Sequence, residues 1–239
     1  MPRHPSLIRP PLGFAHRGAR VLERENTLAA FRRAVELGAT GLESDVWLTA
    51  DGVPVLDHDG VVRRGLRRRR IRDLRHDELP DHIPTLGGLY EACGTRLPLS
   101  LDVKDPAAAP VVVEASREAG GGALAQLWLC HPDWRVVAGW RDLSDLVRLV
   151  DSTRLRAMSE GPERRAARLA EAGIDAVNLR YPDWTGGLVT LFHRFDRFAL
   201  GWDCQHERVI DELLAMGIDG IYSDHPDRLA TSLARHPAS

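Results

Sequence analysis

The sequence predicts a single (β/α)8 TIM barrel, an α/β fold in which eight parallel strands alternate with helices. The chain has 239 residues, of which 44% are hydrophobic and 28% charged. This suits one barrel of about 250 residues better than two small domains. Short segments rich in Val, Leu and Ile alternate with amphipathic stretches, an order that implies right-handed crossovers and a parallel sheet. We therefore treat residues 1–239 as one domain, in which residues 1–11 form a flexible N-terminal tail.

Eight apolar segments are predicted to be the strands of this barrel. In chain order they cover residues 13–16, 41–48, 97–104, 126–130, 146–150, 176–179, 198–202 and 220–223. A count of eight strand and helix units favours closure into a barrel over an open doubly wound sheet.

The predicted helices lie between these strands, and the first is the clearest. Leu28, Phe31 and Val35 form one apolar stripe, and Gly38 supplies a C-terminal stop. Asn26 or Thr27 would cap the N-terminus, and for Asn26 the cap role is preferred over a role in the site. This predicts a helix over residues 27–37. Comparable patterns cover residues 85–92, 106–119, 162–172, 183–194, 206–216 and 226–234.

A short Arg-rich loop is predicted after the second strand region. Residues 63–75 contain eight arginines but neither an aromatic residue nor a lysine, and the net charge of the chain is -2. These features disfavour nucleic acid as a partner. The simplest interpretation is a solvated loop, and contact with anionic lipid or with a substrate phosphate remains an alternative.

The cysteines and the hydropathy of the chain indicate its surroundings. Cys93, Cys130 and Cys204 are odd in number and widely spaced, which argues against a disulfide framework or a zinc cluster and fits a reducing, cytoplasmic location. Residues 1–11 lack an apolar export segment, and no apolar run is long enough for stable membrane insertion. The oligomeric state is left open.

Two acidic residues on one strand suggest the chemistry. Glu43 and Asp45 are two positions apart, so both side chains emerge on the same face of a strand. Like charges held so close raise a pKa or require a cation, and carboxylates suit a hard divalent metal. His16, Asp45 and Asp102 each fall at or near a predicted strand end, and barrel chemistry gathers at the C-terminal ends of strands.

The ordered motifs along the chain resemble the glycerophosphodiester phosphodiesterase family, within the superfamily of phosphatidylinositol-specific phospholipase C-like phosphodiesterases. The motifs are His16-Arg17-Gly18, Glu25-Asn26-Thr27, Gly41-Leu42-Glu43-Ser44-Asp45-Val46, Thr49-Ala50-Asp51-Gly52, His58-Asp59, Ile83-Pro84-Thr85-Leu86, Asp102-Val103-Lys104 and Ser223-Asp224-His225-Pro226. Each motif alone is weak, but the ordered set is specific and spans nearly the whole chain.

The resemblance implies roles for five of these residues. His16 and His58 are the expected acid–base pair, and Glu43, Asp45 and Asp102 are the expected ligands of one divalent cation. An all-carboxylate set favours Mg²⁺ or Ca²⁺ over Zn²⁺ and does not choose between the two. Many relatives have Glu where this chain has Asp102, which shortens the reach by one methylene.

The resemblance and the residue chemistry also predict substrate-binding groups. Arg17 and Lys104, the single lysine of the chain, would stabilise negative charge at phosphorus, or else pair with Glu43 or Asp45. Glu25 and Asn26 lie in a loop that lines the site in the family. Trp202 stands where relatives carry a Trp near the end of the seventh strand.

The activity expected from the resemblance is metal-dependent hydrolysis of a glycerophosphodiester to sn-glycerol 3-phosphate and an alcohol. The expected nucleophile is the 2-hydroxyl of the substrate, which would give a cyclic phosphate that water then opens. A phospholipase D-like enzyme acting on lyso- or sphingo-phospholipids is one alternative. A non-catalytic phosphate-binding barrel is another.

Overall fold

Eight parallel strands close into a barrel in the computed structural model, which describes residues 5–64 and 67–236. The strands are β1 Leu12–His16, β2 Gly41–Leu48, β6 Leu99–Val103, β7 Leu127–His131, β8 Arg148–Ser152, β9 Ala176–Arg180, β10 Phe198–Trp202 and β11 Gly220–Ser223. They are hydrogen-bonded in the order β1, β11, β10, β9, β8, β7, β6, β2, and pairing of β1 with β2 closes the ring. The predicted barrel is confirmed, and each predicted strand overlaps an observed one.

Helices between these strands form the outer layer. Within the described residues they are α1 Leu28–Glu36, α2 Leu86–Cys93, α3 Ala108–Ala119, α4 Ala123–Gln126, α5 Trp134–Ala138, α6 Pro162–Glu171, α7 Gly186–His193, α8 Glu207–Met216 and α9 Pro226–Arg235. The sequence pattern did not predict α4 and α5, because four or five residues are too few for a 3.6-residue period to show.

An additional strand, β3 Pro54–Leu56, runs antiparallel to β2. Val46 of β2 pairs with β6 on one side and with β3 on the other, whereas β1 pairs with β2 only up to Glu43. Strand β3 therefore continues along the edge of β2 that β1 leaves at its C-terminal end. This places the loop after β3, residues 57–60, at the mouth of the barrel.

The Arg-rich segment begins with a hairpin and is not simply the solvated loop predicted from its composition. Its strands are β4 Val61–Arg64 and β5 Arg67–Arg70, paired antiparallel, and residues 65 and 66 lie outside the described part of the chain. Val62 and Ile71 are buried in a small apolar cluster with Val55, while the residues of β5 are exposed. Buried apolar residues at its base therefore anchor a hairpin in which the arginines of β5 face solvent.

The core has two main parts, one inside the barrel and one between barrel and helices. Phe14, Trp128, Leu200 and Tyr222 belong to the inner cluster, and the rings of Phe14 and Tyr222 stack at a centroid distance of 4.7 Å. The outer cluster joins the strands to the helices and includes Phe31 and Phe192. Large side chains fill the barrel interior, so any open space must lie at the mouth of the barrel and not inside it.

Part of the predicted N-terminal tail is anchored. The side chain of Asp219, immediately before β11, accepts hydrogen bonds from Ser6 Oγ at 2.7 Å, Leu7 N at 2.6 Å and Ile8 N at 3.2 Å. The tail prediction therefore does not hold for residues 6–8, because a buried carboxylate at the base of the barrel holds their backbone. Residues 1–4 lie outside the described part.

The structure also bears on the predicted absence of membrane insertion. Within the described ranges, none of the helices combines the length and the apolar character that crossing a bilayer requires.

Candidate active site

A cavity of about 500 Å³ opens at the C-terminal ends of the barrel strands. Seven of the ten predicted site residues line it, namely His16, Arg17, Glu43, Asp45, Asp102, Lys104 and Trp202. The structure thus brings together residues that lie up to 186 positions apart in the sequence. Barrel topology explains this, because every strand ends at the same rim.

Two cations neutralise the acidic side of the cavity. Asp45 and Asp102 are direct partners in the register of β2 and β6. Lys104 Nζ lies 2.9 Å from Asp45 Oδ1 and also contacts Asp102 Oδ2, while Arg17 Nε lies 3.2 Å from Asp45 Oδ2. Burial lowers the pKa of Lys104, but the neighbouring Asp102 and Asp45 raise it by more, so the ammonium stays charged. The predicted pairing of both cations with a site carboxylate is therefore realised.

The backbone aims Arg17 at the cavity. Arg17 has a left-handed φ of 56°, unusual for a residue other than glycine. Its N–H lies 3.0 Å from the Glu43 carbonyl oxygen and 2.9 Å from Glu43 Oε2, and both accept from it. The next residue, Gly18, has φ 78°, and a Cβ there would lie 2.6 Å from the backbone of Ala30. The His16-Arg17-Gly18 motif is therefore a tight turn that only a glycine at its third position allows.

Glu43 is a buried carboxyl group with a strongly shifted pKa. Burial raises its pKa to about 7; His16 and Arg17 lower it, and Asp45 and Asp102 add to the rise. Glu43 Oε2 lies 3.9 Å from His16 Nε2. With a pKa about 7, the Glu43 carboxyl group gains or loses a proton near neutral pH, and the charges of its neighbours decide which form prevails.

His16 is held by a carboxylate for which the sequence had suggested no role. Its Nδ1 lies 2.6 Å from Asp224 Oδ1, and the Asp224 N–H donates to Gln205 Oε1 at 2.9 Å. Burial lowers the pKa of His16, but Glu43 and Asp224 raise it above the ordinary value. Because β11 neighbours β1 in the closed barrel, the residue after β11 was the available signal for this partner.

Asn26 supports Asp45 and does not cap α1. Thr27 is the N-cap, since its Oγ1 accepts from Ala30 N at 3.2 Å. This corrects the preference for Asn26 as the cap. Asn26 adopts φ 54°, and its amide donates to Asp45 Oδ2 at 3.3 Å and accepts from Ser44 Oγ at 2.7 Å. Asn26 therefore lies behind the acidic wall and orients one of its carboxylates.

Glu25 and His58 also lie outside the wall of the cavity. Glu25 pairs with Arg17 at 3.2 Å and with Arg20 at 2.7 Å. It therefore holds the Arg17 side chain from the side away from the cavity. His58 follows β3 at the mouth, has 39% of its side chain exposed, and places Nδ1 2.8 Å from Asp59 Oδ1. The structure therefore places His58 near the site without contact with the other predicted catalytic residues.

The donor set fits a divalent cation in its chemistry. Glu43, Asp45 and Asp102 face one cavity, and carboxylate oxygens are the ligands that Mg²⁺ and Ca²⁺ prefer. In the part of the chain that the structure describes, however, no three His, Cys, Asp or Glu side chains are grouped so that they could hold one ion. The Lys104 ammonium contacts Asp45 and Asp102 and so lies where a cation bound by these two carboxylates would lie.

Part of the chain matches a known family model. The model of the glycerophosphoryl diester phosphodiesterase family matches residues 16–99. Glycerophosphodiester phosphodiesterase 1 of Homo sapiens is 40% identical in an alignment of 109 positions that covers 38% of this chain and 33% of that protein. The match thus spans a third of that relative's length. YhdW of Bacillus subtilis (strain 168), itself only provisionally assigned as a glycerophosphodiester phosphodiesterase, is 26% identical in an alignment of 232 positions that covers 90% of this chain and 94% of that one.

Solved structures extend the similarity over the whole barrel. A provisionally assigned glycerophosphoryl diester phosphodiesterase from Silicibacter pomeroyi DSS-3 superimposes with a TM-score of 0.82 at 25% identity, covering 98% of this chain and 96% of that one. An Oleispira antarctica phosphodiesterase, solved with its product sn-glycerol-3-phosphate, superimposes with a TM-score of 0.79 at 21% identity, covering 94% and 97%. Fold and site together define a barrel with a charged pocket at its mouth. The chain is therefore similar to glycerophosphodiester phosphodiesterases, by the family model over residues 16–99 and by fold over the whole barrel.

Proposed function

We propose that the protein hydrolyses glycerophosphodiesters to sn-glycerol 3-phosphate and an alcohol. The observation that carries the proposal is the content of one cavity, where an imidazole held by a carboxylate, two cations and three carboxylates meet. A phosphodiester needs cations against its oxygens and a group that exchanges protons with the attacking or leaving oxygen. The match of residues 16–99 to the family model and the product complex of the similar Oleispira antarctica phosphodiesterase support the same activity.

The phosphate would lie against Lys104 and Arg17. Both side chains line the cavity and remain tied to Asp45, so their charges are already in position before substrate arrives. A preorganised cation stabilises charge that develops at phosphorus without the cost of reorganising during the reaction. Arg17 can in addition offer two parallel donors to phosphate oxygens.

His16 would exchange the proton. With Nδ1–H donated to Asp224, the ring presents Nε2 toward the side of the cavity where Glu43 lies. Asp224 thereby selects one tautomer and stabilises the imidazolium when it forms. The second proton carrier is proposed to be His58, which lies in the loop after β3 at the mouth of the barrel. This role rests on the family resemblance.

Glu43, Asp45 and Asp102 would hold the divalent cation, which would have to displace the Lys104 ammonium from Asp45 and Asp102, because among the described residues the three carboxylates are not grouped around one ion. When bound, a cation there supplies Lewis-acid polarisation of the phosphoryl group. The chain's own part is to present three oxygen donors from two adjacent strands. Asp102 has the shorter side chain, and Lys104 competes for the same oxygens.

An assay of glycerol 3-phosphate release tests the proposal. Purified protein is incubated with glycerophosphoglycerol, glycerophosphoethanolamine and glycerophosphocholine, in EDTA and after Mg²⁺ or Ca²⁺ is restored. Lysophosphatidylcholine is tested in parallel by release of choline, because its cleavage at the same bond leaves lysophosphatidic acid and no glycerol 3-phosphate. We expect release from one or more of the water-soluble diesters, loss in EDTA and recovery with a metal. Turnover of lysophosphatidylcholine alone would favour the phospholipase alternative, and binding of glycerol 3-phosphate without release from any diester would favour a non-catalytic barrel.

Two further arms separate the parts of the mechanism. Unchanged release in EDTA would overturn metal dependence and leave the hydrolytic activity standing. A 2-deoxy analogue of glycerophosphoglycerol should not turn over if the 2-hydroxyl is the nucleophile, and its rapid hydrolysis would refute that route.

A further inference from the structure

We propose that the cavity wall opposite the carboxylates is a subsite for an anionic leaving group, in which Arg154 and Arg156 recognise a phosphate or carboxylate on the alcohol half of the substrate. This rests on the proposed function and deepens it. The preferred substrates would be glycerophosphodiesters whose alcohol carries its own negative charge, in place of those with a cationic head group.

The two walls of the cavity differ in charge. In the ring of strands, β8, β9 and β10 lie across the barrel from β1, β2 and β6. All three acidic residues that line the cavity are on β2 and β6, whereas the opposite wall holds Arg154, Arg156 and neutral side chains such as Asn178 and Trp202. A diester bound with its phosphate near Lys104 would therefore extend its alcohol half toward two guanidinium groups.

Neither of these arginines has an ion-pair partner in the ranges that the structure describes. Their behaviour contrasts with that of Arg180 on the same rim, which pairs with Asp203 at 2.7 Å. It also contrasts with Arg17, which pairs with Glu25 and Asp45. Two uncompensated cations on a concave wall focus a positive potential into the cavity and attract an anion.

Trp202 fixes the position of one of the two arginines. The Arg154 guanidinium lies over the Trp202 ring at 5.1 Å from its centroid, within the range of a cation–π contact. Stacking leaves the edge of the guanidinium, which carries its N–H donors, available to a ligand. Since Trp202 itself lines the cavity, this contact holds the charge at the wall instead of letting it swing into solvent.

An unpaired acceptor in the same wall adds a second requirement. Asn178 is buried, its Nδ2 donates to Ser152 Oγ at 3.2 Å, and its Oδ1 is buried without a hydrogen-bond partner among the described residues. A buried acceptor without a partner costs about 1–3 kcal/mol, and a hydroxyl or amine of the ligand would satisfy it. Choline has no N–H or O–H donor in its leaving half beyond the reacting oxygen and carries a fixed positive charge, so it fits this wall poorly.

The test compares three diesters that share the glycerol 3-phosphate half. Bis(glycerophospho)glycerol has an anionic alcohol half, glycerophosphoglycerol has a neutral polyol, and glycerophosphocholine has a cation. For the wild-type protein we expect kcat/KM for the anionic diester to exceed that for the neutral one on the order of tenfold, the value of about one good charge-assisted contact. The cationic diester should be the poorest, and added salt should shrink the preference.

Variants of the rim assign the preference to residues. Arg154→Gln with Arg156→Gln should bring the ratio of anionic to neutral diester close to one while hydrolysis of glycerophosphoglycerol stays within about twofold, because both side chains are exposed and lie away from the reacting phosphate. Arg180→Gln, which removes an already neutralised arginine from the same rim, should leave the ratio unchanged and is the matched control.

The outcomes separate this subsite from the function on which it rests. Equal kcat/KM for the anionic and neutral diesters, or a preference that survives in the double variant, would overturn the subsite and leave the phosphodiesterase standing. Failure to hydrolyse any of the three diesters would overturn the proposed function itself, and the subsite with it.

Discussion

Two of the aspartate–histidine pairs among the described residues lie at opposite ends of the barrel, and their surroundings differ. At the mouth, His16 Nδ1 lies 2.6 Å from Asp224. At the base, His193 Nε2 of α7 lies 2.8 Å from Asp219. The pairing atoms are chemically alike, so the difference in their expected roles has to come from what surrounds them.

At the base, the Asp219 carboxylate is buried and its oxygens are fully hydrogen-bonded. Asp219 is fully buried and accepts hydrogen bonds from the side chain of Ser6 and from three backbone N–H groups, those of Leu7, Ile8 and Ala199, in addition to His193. This pair joins the chain's N-terminal segment, β10 and α7, and neither residue lines the cavity at the mouth. Its role is to hold the fold together.

At the mouth, the pair keeps one ring nitrogen available. The side chains of His16 and Asp224 are 28% and 23% exposed, and His16 lines the cavity beside Glu43. A histidine can exchange protons with a ligand only if a nitrogen reaches it. The same pair therefore holds the fold together where every acceptor is satisfied, and under the proposed function it would carry a proton where the ring faces the cavity.

The largest expected effect on activity comes from replacing His16, with replacement of His193 as the comparison. His16→Asn should lower kcat/KM for glycerophosphoglycerol on the order of a hundred- to ten-thousand-fold, because proton transfer is lost, with little change in thermal unfolding. His193→Asn is the matched control and should lower the melting temperature while each folded molecule retains its activity. Comparable activity loss in both variants would contradict the division of roles.

Asp219→Ala should have the largest effect on stability. It removes the acceptor of several buried donors, and breaking such a buried network costs about 3–5 kcal/mol of unfolding free energy. Urea unfolding measures the loss, and glycerol 3-phosphate release per folded molecule should stay near wild type. A loss below about 1 kcal/mol would show that water replaces the carboxylate at the base.

Asp224→Asn tests the mouth pair from the other partner. The hydrogen bond to a charged partner that it weakens corresponds to about 1.5–3 kcal/mol, so kcat should fall on the order of ten- to a hundred-fold with KM little changed. Asp224→Glu, which restores a carboxylate, should recover part of the rate. Equal losses for Asn and Glu would indicate that geometry matters here and charge does not.

The smallest effect is expected at the N-terminal segment. Ser6→Ala removes one of the hydrogen bonds to Asp219 and should lower the unfolding free energy by about 0.5–1.5 kcal/mol, with activity unchanged. Chemical denaturation of this variant beside Asp219→Ala shows whether residues 6–8 contribute to stability. Identical unfolding to wild type would mean that the backbone donors alone hold the segment.

The sequence predicted the eight barrel strands well because strands buried on both faces form continuous apolar runs. It did not predict β3, whose place depends on where β1 stops along the edge of β2. It also could not choose between Asn26 and Thr27 as the cap of α1 and ranked capping above a site role for Asn26, since both residues are good caps by type and only the left-handed backbone of Asn26 excludes it.

Some features of the candidate site could be predicted from the sequence and others could not. The shared face of Glu43 and Asp45 follows from strand periodicity alone, and both residues do line the cavity. The pairing of His16 with Asp224 joins residues 208 positions apart, and no local pattern reports such a contact. His58 was predicted as the second member of the acid–base pair, and the structure places it in the loop after β3, outside the wall of the cavity. Its position depends on β3, which the sequence did not predict.

The sequence by itself determined the barrel, its strands and the chemical types of the groups at the mouth, because periodicity and motif spacing are local properties of the chain. Only the tertiary structure decided which charges meet. Closure of the ring brought β11 beside β1, gave His16 its carboxylate and placed Arg154 and Arg156 across from the acids. The physical reason is that electrostatic partners are set by distances through space, and these distances exist only once the strands have closed.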